Sequence, residues 1–521
     1  MKRIIVLLLA MVMIFGLTAC TQTGGDESTG DSASGEAQYG GTAVITLTGT
    51  YNVMGNPVTG GAQVKFACRP AIETLARYGE DGQAEPWLAK EIVTDPDNLT
   101  MTLTLQEGVT YHDGSAFNAQ AVCDVWDIYR DNALLTTQFD NVDYYEATSE
   151  YVVTVYLTEW NAYTAIYLCI EAGYMISPTE YERVGLEGLN TSIVGTGPFV
   201  CESYDVVTGI EYVKNENYWG GEPYLDGINI VFHDESSVGE NMLLSGEANI
   251  ATWLTLDQLD RLVGNGYTFI CDDSCMSPTC NGVFFASGNE DDPISNLLVR
   301  QAFCHAIDKE AIVAAFANGY GIALDQIAIP GTKEYNEDVE GYDYDVEKAK
   351  ELLKEAGYDE GECVITFYYQ SGEEDMYLAI KSMLEEAGFT VEGDNRTGSE
   401  NRIIYGTSDP YTCCCLFYAP TTIDNWWRYF SATPFTYAVN TIDTAAAGIQ
   451  AAYEGAMTAK TTEEMTEYMM LLQELVTENC MYCPIYSTPA LIAVSDEKLQ
   501  GHGIGEIWLC QWTPESAYLV G

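Results

Sequence analysis

Cysteine is the residue whose spacing first suggests chemistry in this chain of 521 residues, which carries 16 of them. Cys480-x-x-Cys483 has the spacing of a dithiol pair, Cys413-Cys414-Cys415 form a run, and Cys271, Cys275 and Cys280 make a third group. A metal reading fails on ligand supply. Zinc and iron–sulfur sites take four ligands from regularly spaced pairs, and His112, His233, His305 and His502 stand near no cysteine pair in a recognised spacing. No metal and no other cofactor is expected. The redox reading, a thiol oxidoreductase using Cys480 and Cys483, lacks a strand–helix–strand context, because Pro484-Ile485-Tyr486 reads as a strand. It stands as the enzymatic alternative to buried structural thiols. The chain has no G-x-S-x-G, no H-E-x-x-H and no glycine loop ending in Gly-Lys-Ser/Thr, and Gly195-Thr196-Gly197-Pro198 is a tight turn. An enzyme is not expected.

Recognition chemistry is concentrated in Tyr411–Phe430, YTCCCLFYAPTTIDNWWRYF. Aromatic faces give stiff contact area, while an amide and a carboxylate beside them fix orientation. The residues expected to touch a ligand are Tyr418, Asp424, Asn425, Trp426 and Trp427, with Tyr486 farther along. A buried aromatic cluster beside a loop is the structural alternative. Trp426-Trp427 also suits stacking on sugar rings.

The elements that must position these residues are mixed. Ala43–Leu47 reads as a first strand, Tyr51–Gly61 as a loop and Ala71–Tyr78 as a short helix. Leu99–Leu105 and Tyr151–Leu157 alternate apolar and polar residues as half-buried strands do, and the partner of the first is expected after the Asp113-Gly114 turn. Asn118 can cap a helix with Val122, Val125, Trp126 and Tyr129 on one face. Farther on, Val299, Ala302, Phe303, Ala306 and Ile307 mark an amphipathic helix, and Asp345 caps another that ends at Gly357. Strand Val364–Tyr369, helix Met376–Ala387 and strand Phe389–Glu392 alternate as in a parallel α/β layer. The stripe Met465, Tyr468, Met469, Leu472, Leu475 and Val476 reads as helical core.

Composition sets the class and the address. At 47% hydrophobic the chain can bury cores for two or three domains. Its net charge of −56 repels nucleic acid and anionic lipid headgroups. Lys2-Arg3, the apolar run Ile4–Phe15 and Leu17-Thr18-Ala19-Cys20 resemble a bacterial lipoprotein signal, too short to span a bilayer. By that resemblance residues 1–19 are removed, lipid is attached to Cys20, and fifteen cysteines remain, an odd number that cannot all pair within one chain. Residues 20–41 form a flexible tether rich in Gly, Ser and Thr.

Several segments in order then resemble one family, the extracellular solute-binding proteins of ABC importers in the dipeptide-, oligopeptide- and nickel-binding branch, family 5. They are Glu73-Thr74-Leu75-Ala76-Arg77-Tyr78, Glu85-Pro86-Trp87-Leu88-Ala89, Leu105–Val109, Tyr111-His112-Asp113-Gly114 and Phe117-Asn118-Ala119. Gly195–Phe199, Asn215–Trp219, Leu244–Glu247, Val299–Ala302, Ala306–Lys309 and Ala349–Gly357 continue the series. The resemblance implies an α/β, two-lobed periplasmic-binding-protein fold of type 2, with an extra subdomain in lobe one and a two-strand hinge near Asn281–Ala286 and Cys483–Ser487. Lobe one would take 42–282 and return over 483–521, with lobe two at 283–482. It implies a monomer held on the extracellular face of the cell membrane by its lipid, which captures a solute and delivers it to the permease subunits of an ABC importer. Peptide is the expected ligand, with an oligosaccharide or a metal complex as alternatives. Peptide-binding members carry an aspartate that pairs with the ligand's amino group, and Ala419 occupies that position here. Asp424 is the nearby carboxylate that can replace it.

Overall fold

Alternation builds the strands. Thr100–Leu105 buries Met101, Leu103 and Leu105, and Val152–Leu157 repeats the pattern with Val153, Val155 and Leu157. The structure, a computed structural model, describes residues 37–79, 82–135, 138–269, 279–285, 287, 291–396, 414–420, 448–488, 491–504 and 512–520. Among these, the two strands pair antiparallel inside a four-stranded sheet whose outer strands are Ala89–Asp95 and Val142–Ser149. The partner expected after Asp113-Gly114 is therefore a different one. That turn closes on the isolated Thr110–Ala116 bridge and leads into helix Ala119–Asp131. Asn118 caps the helix, its Oδ1 accepting from Ala121 N at 3.0 Å, and Val122, Val125, Trp126 and Tyr129 are buried.

A seven-stranded sheet is centred on Thr42–Thr48, which runs parallel to both Gly227–His233 and Ile250–Ala251. The helix expected over Ala71–Tyr78 is not formed. Ala62–Cys68 is helical instead, and Ala76–Tyr78 pairs as a strand with Ala84–Pro86. Bonds to a distant segment decide this: Leu75 N donates to Gly173 O at 2.9 Å, and Glu73 O accepts from Met175 N at 3.0 Å. Backbone groups committed across the fold are not free for a helical ladder.

The six-stranded sheet has the order Ile322–Ala323, Tyr482–Ser487, Thr279–Phe285, Cys414–Pro420, Cys363–Gln370, Phe389–Arg396. Its last two strands are parallel and joined by helix Glu374–Glu386, as the α/β pattern predicts. Asp345 caps helix Val346–Glu355, accepting from Lys348 N at 2.9 Å, and Gly357 takes the left-handed φ of 96° that ends it. Helix Leu297–Ala306 buries Val299, Ala302, Phe303 and Ala306. One face of the sheet, with Val283, Phe285, Ile365 and Phe367, packs on these helices. The residues of alternate parity, Phe284, Tyr368 and Tyr482, join a second core shared with helices Ile449–Thr458 and Thr462–Glu478, where Met465 and Met469 are buried.

The chain enters the six-stranded sheet through Thr279–Phe285 and leaves it through Tyr482–Ser487, and these two crossing strands pair antiparallel. Their approach requires glycine at 282. A Cβ there would lie 2.2 Å from Cys483 O and 2.6 Å from the Tyr482 ring.

Candidate functional site

The segments singled out in the sequence converge on one carboxylate. Glu73 is fully buried, and its oxygens accept from Trp87 Nε1 at 2.7 Å, Thr196 Oγ1 at 2.8 Å, Tyr218 OH at 2.8 Å and Trp219 Nε1 at 2.9 Å. Burial pushes its carboxyl up, while the Trp219 N–H and the Arg77 charge pull the other way. Arg77 lies over the Trp87 ring, 3.2 Å from its centroid, and pairs with Glu515 at 2.7 Å. Around the same turn His112 Nε2 meets Gly197 O at 2.9 Å and Asn215 Nδ2 donates to it at 3.0 Å. Glu73, Thr196 and Tyr218 are buried while Trp87 and Trp219 are half-buried, and the hub's bonds run between segments of the chain, so it positions elements. Arg300 has the same kind of role, donating to Ile294 O, Ser295 O, Asn479 O and Cys480 O at 2.8–3.1 Å.

A candidate ligand surface is the edge where the parallel strands of the seven-stranded sheet end. In open α/β sheets the crevice beyond the carboxyl ends of the strands is where ligands bind. Thr42–Thr48 and Ile250–Ala251 end there and lead into Tyr51 and Trp253. Leu254 N donates to Leu491 O at 2.9 Å, which ties this edge to the chain just past the returning strand.

In the six-stranded sheet Asn281 is in register with Tyr418 on one side and Tyr486 on the other. Asn281 Nδ2 donates to Tyr486 O at 3.3 Å. Two of the residues expected at a ligand thus share one row of three neighbouring strands. Tyr486 is half-buried and packs against the apolar core of its sheet. Ala419 is in register with Cys280. Asp424, Asn425, Trp426, Trp427 and Cys20 lie outside the described residues. Sequence reading placed Asn281 at the start of the expected hinge and did not single out Trp253, because a bulky residue with left-handed backbone leaves no periodic signal.

The thiols do not form a reactive centre among the described residues. Cys480 and Cys483 are fully buried, and Cys480 Sγ lies 3.3 Å from Cys304 Sγ. Burial holds the Cys304 thiol far above its usual range, and burial likewise raises Cys280 to about 12. Reactive cysteines are partly exposed, whereas Cys480 and Cys483 are buried.

Among the described residues no helix is long and apolar enough to cross a membrane. A sequence profile described as bacterial extracellular solute-binding proteins, family 5, middle, matches residues 83–409. The glutathione-binding protein GsiB of Pectobacterium atrosepticum is 29% identical over 324 residues, which is 61% of this chain and 62% of that protein, so the match spans about three fifths of the relative's length. The crystal structure of the ABC transporter substrate-binding protein CtaP from Listeria monocytogenes superposes with a TM-score of 0.77 at 22% identity, covering 93% of this chain and 100% of that one. The periplasmic binding protein DppA from Helicobacter pylori, in complex with peptide STSA, gives 0.71 at 20% identity over 93% of this chain and 99% of that one. All three are binding proteins, and the two structures establish the mixed α/β, two-lobed periplasmic-binding-protein fold for this chain. With 327 of its 521 residues inside the matched profile and the expected fold in place, the chain belongs to the bacterial extracellular solute-binding proteins, family 5.

Proposed function

We propose that this chain is a monomeric, lipid-anchored substrate-binding protein that captures a peptide between two lobes and delivers it to the permease subunits of an ABC importer. Lobe one is 42–282 with 483–521, lobe two is 283–482, and Cys20 carries the lipid on the extracellular face of the cell membrane. The observation that carries this reading is the row Tyr418, Asn281, Tyr486 across the two crossing strands and their neighbour. Closure of lobes about such a pair of strands is a hinge motion, and the permease distinguishes the closed state. Peptide is favoured because a family structure of the same fold holds one. An extended peptide binds by backbone pairing, with side chains in tolerant wet pockets.

Tyr418, Asn425, Trp426 and Trp427 form the lobe-two wall in this reading, Tyr486 contacts the ligand at the hinge, and Asp424 takes the ligand's amino group. Native mass spectrometry of freshly purified protein, followed by calorimetry with the peptides found, tests it. Asp424→Ala should weaken peptide binding at least about tenfold, the loss expected for a charge-assisted hydrogen bond. Undiminished binding would remove Asp424 from the site, and a co-purified sugar or metal complex would replace the peptide assignment.

A further inference from the structure

Six tryptophans fall among the described residues, and five donate their indole N–H at 2.7–3.0 Å: Trp87 and Trp219 to Glu73, Trp126 to Ala172 O, Trp160 to Ala459 O and Trp512 to Phe66 O. Trp253 has no acceptor among the described residues. Its backbone is also left-handed, with φ at 51°, a conformation that a bulky side chain adopts only when its surroundings enforce it.

The enforcement is visible on both sides. Thr46 O accepts from Thr252 N at 3.2 Å and from Thr252 Oγ1 at 2.8 Å. Leu254 N donates to Leu491 O at 2.9 Å, and Thr255 begins the next helix with a reciprocal cap to Gln258. The ring is held as firmly. Phe66 meets it edge-on at 5.7 Å and is itself stacked on Trp512 at 5.4 Å, and both of those rings are buried whereas Trp253 is half-buried. A left-handed backbone thus holds a half-buried indole, whose N–H has no acceptor among the described residues, at the carboxyl edge of the seven-stranded sheet, near the chain just past the returning strand.

We infer that Trp253 is a ligand-contact residue on lobe one, its indole N–H donating to a carbonyl oxygen of an extended peptide whose apolar face lies against the ring. This rests on the peptide reading above. A neutral acceptor fits better than an anionic one, because Asp257 and Asp260 follow on the next helix and the whole chain carries −56.

The test uses the full chain and a library of tripeptides, captured ligands being read by native mass spectrometry and their affinities by calorimetry. Trp253→Phe keeps a ring against Phe66 and removes the donor, so it should bind the captured tripeptides roughly three- to tenfold more weakly, with an unchanged melting temperature. Trp253→His, which keeps a ring N–H, should recover part of the loss. Equal affinity of the wild type and both variants overturns the assignment and leaves peptide capture standing. A wild type that captures no tripeptide overturns both.

Discussion

Thr196 Oγ1 donates to Glu73 Oε2 at 2.8 Å across 123 residues of chain. With Trp87, Tyr218 and Trp219 it closes a polar hub about a buried carboxylate that joins the segment after helix Ala62–Cys68, the end of the small hairpin and two turns. Leaving several buried donors without their acceptor costs about 1–3 kcal/mol for each group that water cannot reach. Glu73→Ala should therefore lower the unfolding free energy by about 3–5 kcal/mol, and Glu73→Gln, which keeps one carbonyl oxygen, by about 1–3 kcal/mol. Urea unfolding measures both, and a change below about 1 kcal/mol in the alanine variant would show that the hub relaxes easily.

Gly282 lies where the crossing strands touch. Adding one methyl group there places it 2.2 Å from the Cys483 carbonyl oxygen, a backbone atom that cannot step aside without breaking strand pairing. Gly282→Ala should cost several kcal/mol, roughly 3 or more, through overpacking and loss of ladder bonds. Thermal unfolding followed by circular dichroism checks this, and a native-like melting temperature would mean that the strands separate at this point without penalty.

Asp292 carries a pH dependence. It is buried, Ile294 N donates to it at 2.8 Å, and burial pushes its carboxyl up to about 6 from 3.8. A carboxyl with a raised folded pKa adds stability that is complete below the unfolded value, and the gain is lost as pH climbs through about 6. Asp292→Asn, which can cap the same turn, should melt higher than the wild type at pH near 7.5 and together with it near pH 4. Scanning fluorimetry at the two pH values decides, and a difference of the same size at both would rule out this carboxyl as the cause.

Cys480 and Cys483 should be inert in the folded chain. Both are fully buried, and Cys480 sits against Cys304. With a disulfide-forming thiol reagent at pH 8, Cys480→Ser and Cys483→Ser should leave the rapid phase of the native reaction unchanged, the thiols reacting only on unfolding. A smaller rapid phase in either variant would revive the dithiol reading.

The sequence by itself determined the local elements whose causes are local. Alternation in Thr100–Leu105, the caps at Asn118 and Asp345 and the stop at Gly357 need only near neighbours, and each formed as read. The ordered motifs also pointed to the fold, and residues from several of them, such as Glu73, Thr196 and Tyr218, meet in it. What only the tertiary structure decided is which groups meet. Residues 71–78 look helical alone, yet Gly173 and Met175 take their backbone bonds and leave a strand. Cys480-x-x-Cys483 has the spacing of a redox pair, and burial beside Cys304 sets its character instead. Trp253 is unremarked in the sequence, since its role depends on a left-handed backbone and an unmet N–H, both consequences of partners 207 residues before it and 238 after it, Thr46 and Leu491, gripping Thr252 and Leu254. Spacing along a chain records periodicity, whereas a binding surface is made by contacts between segments that have no spacing in common.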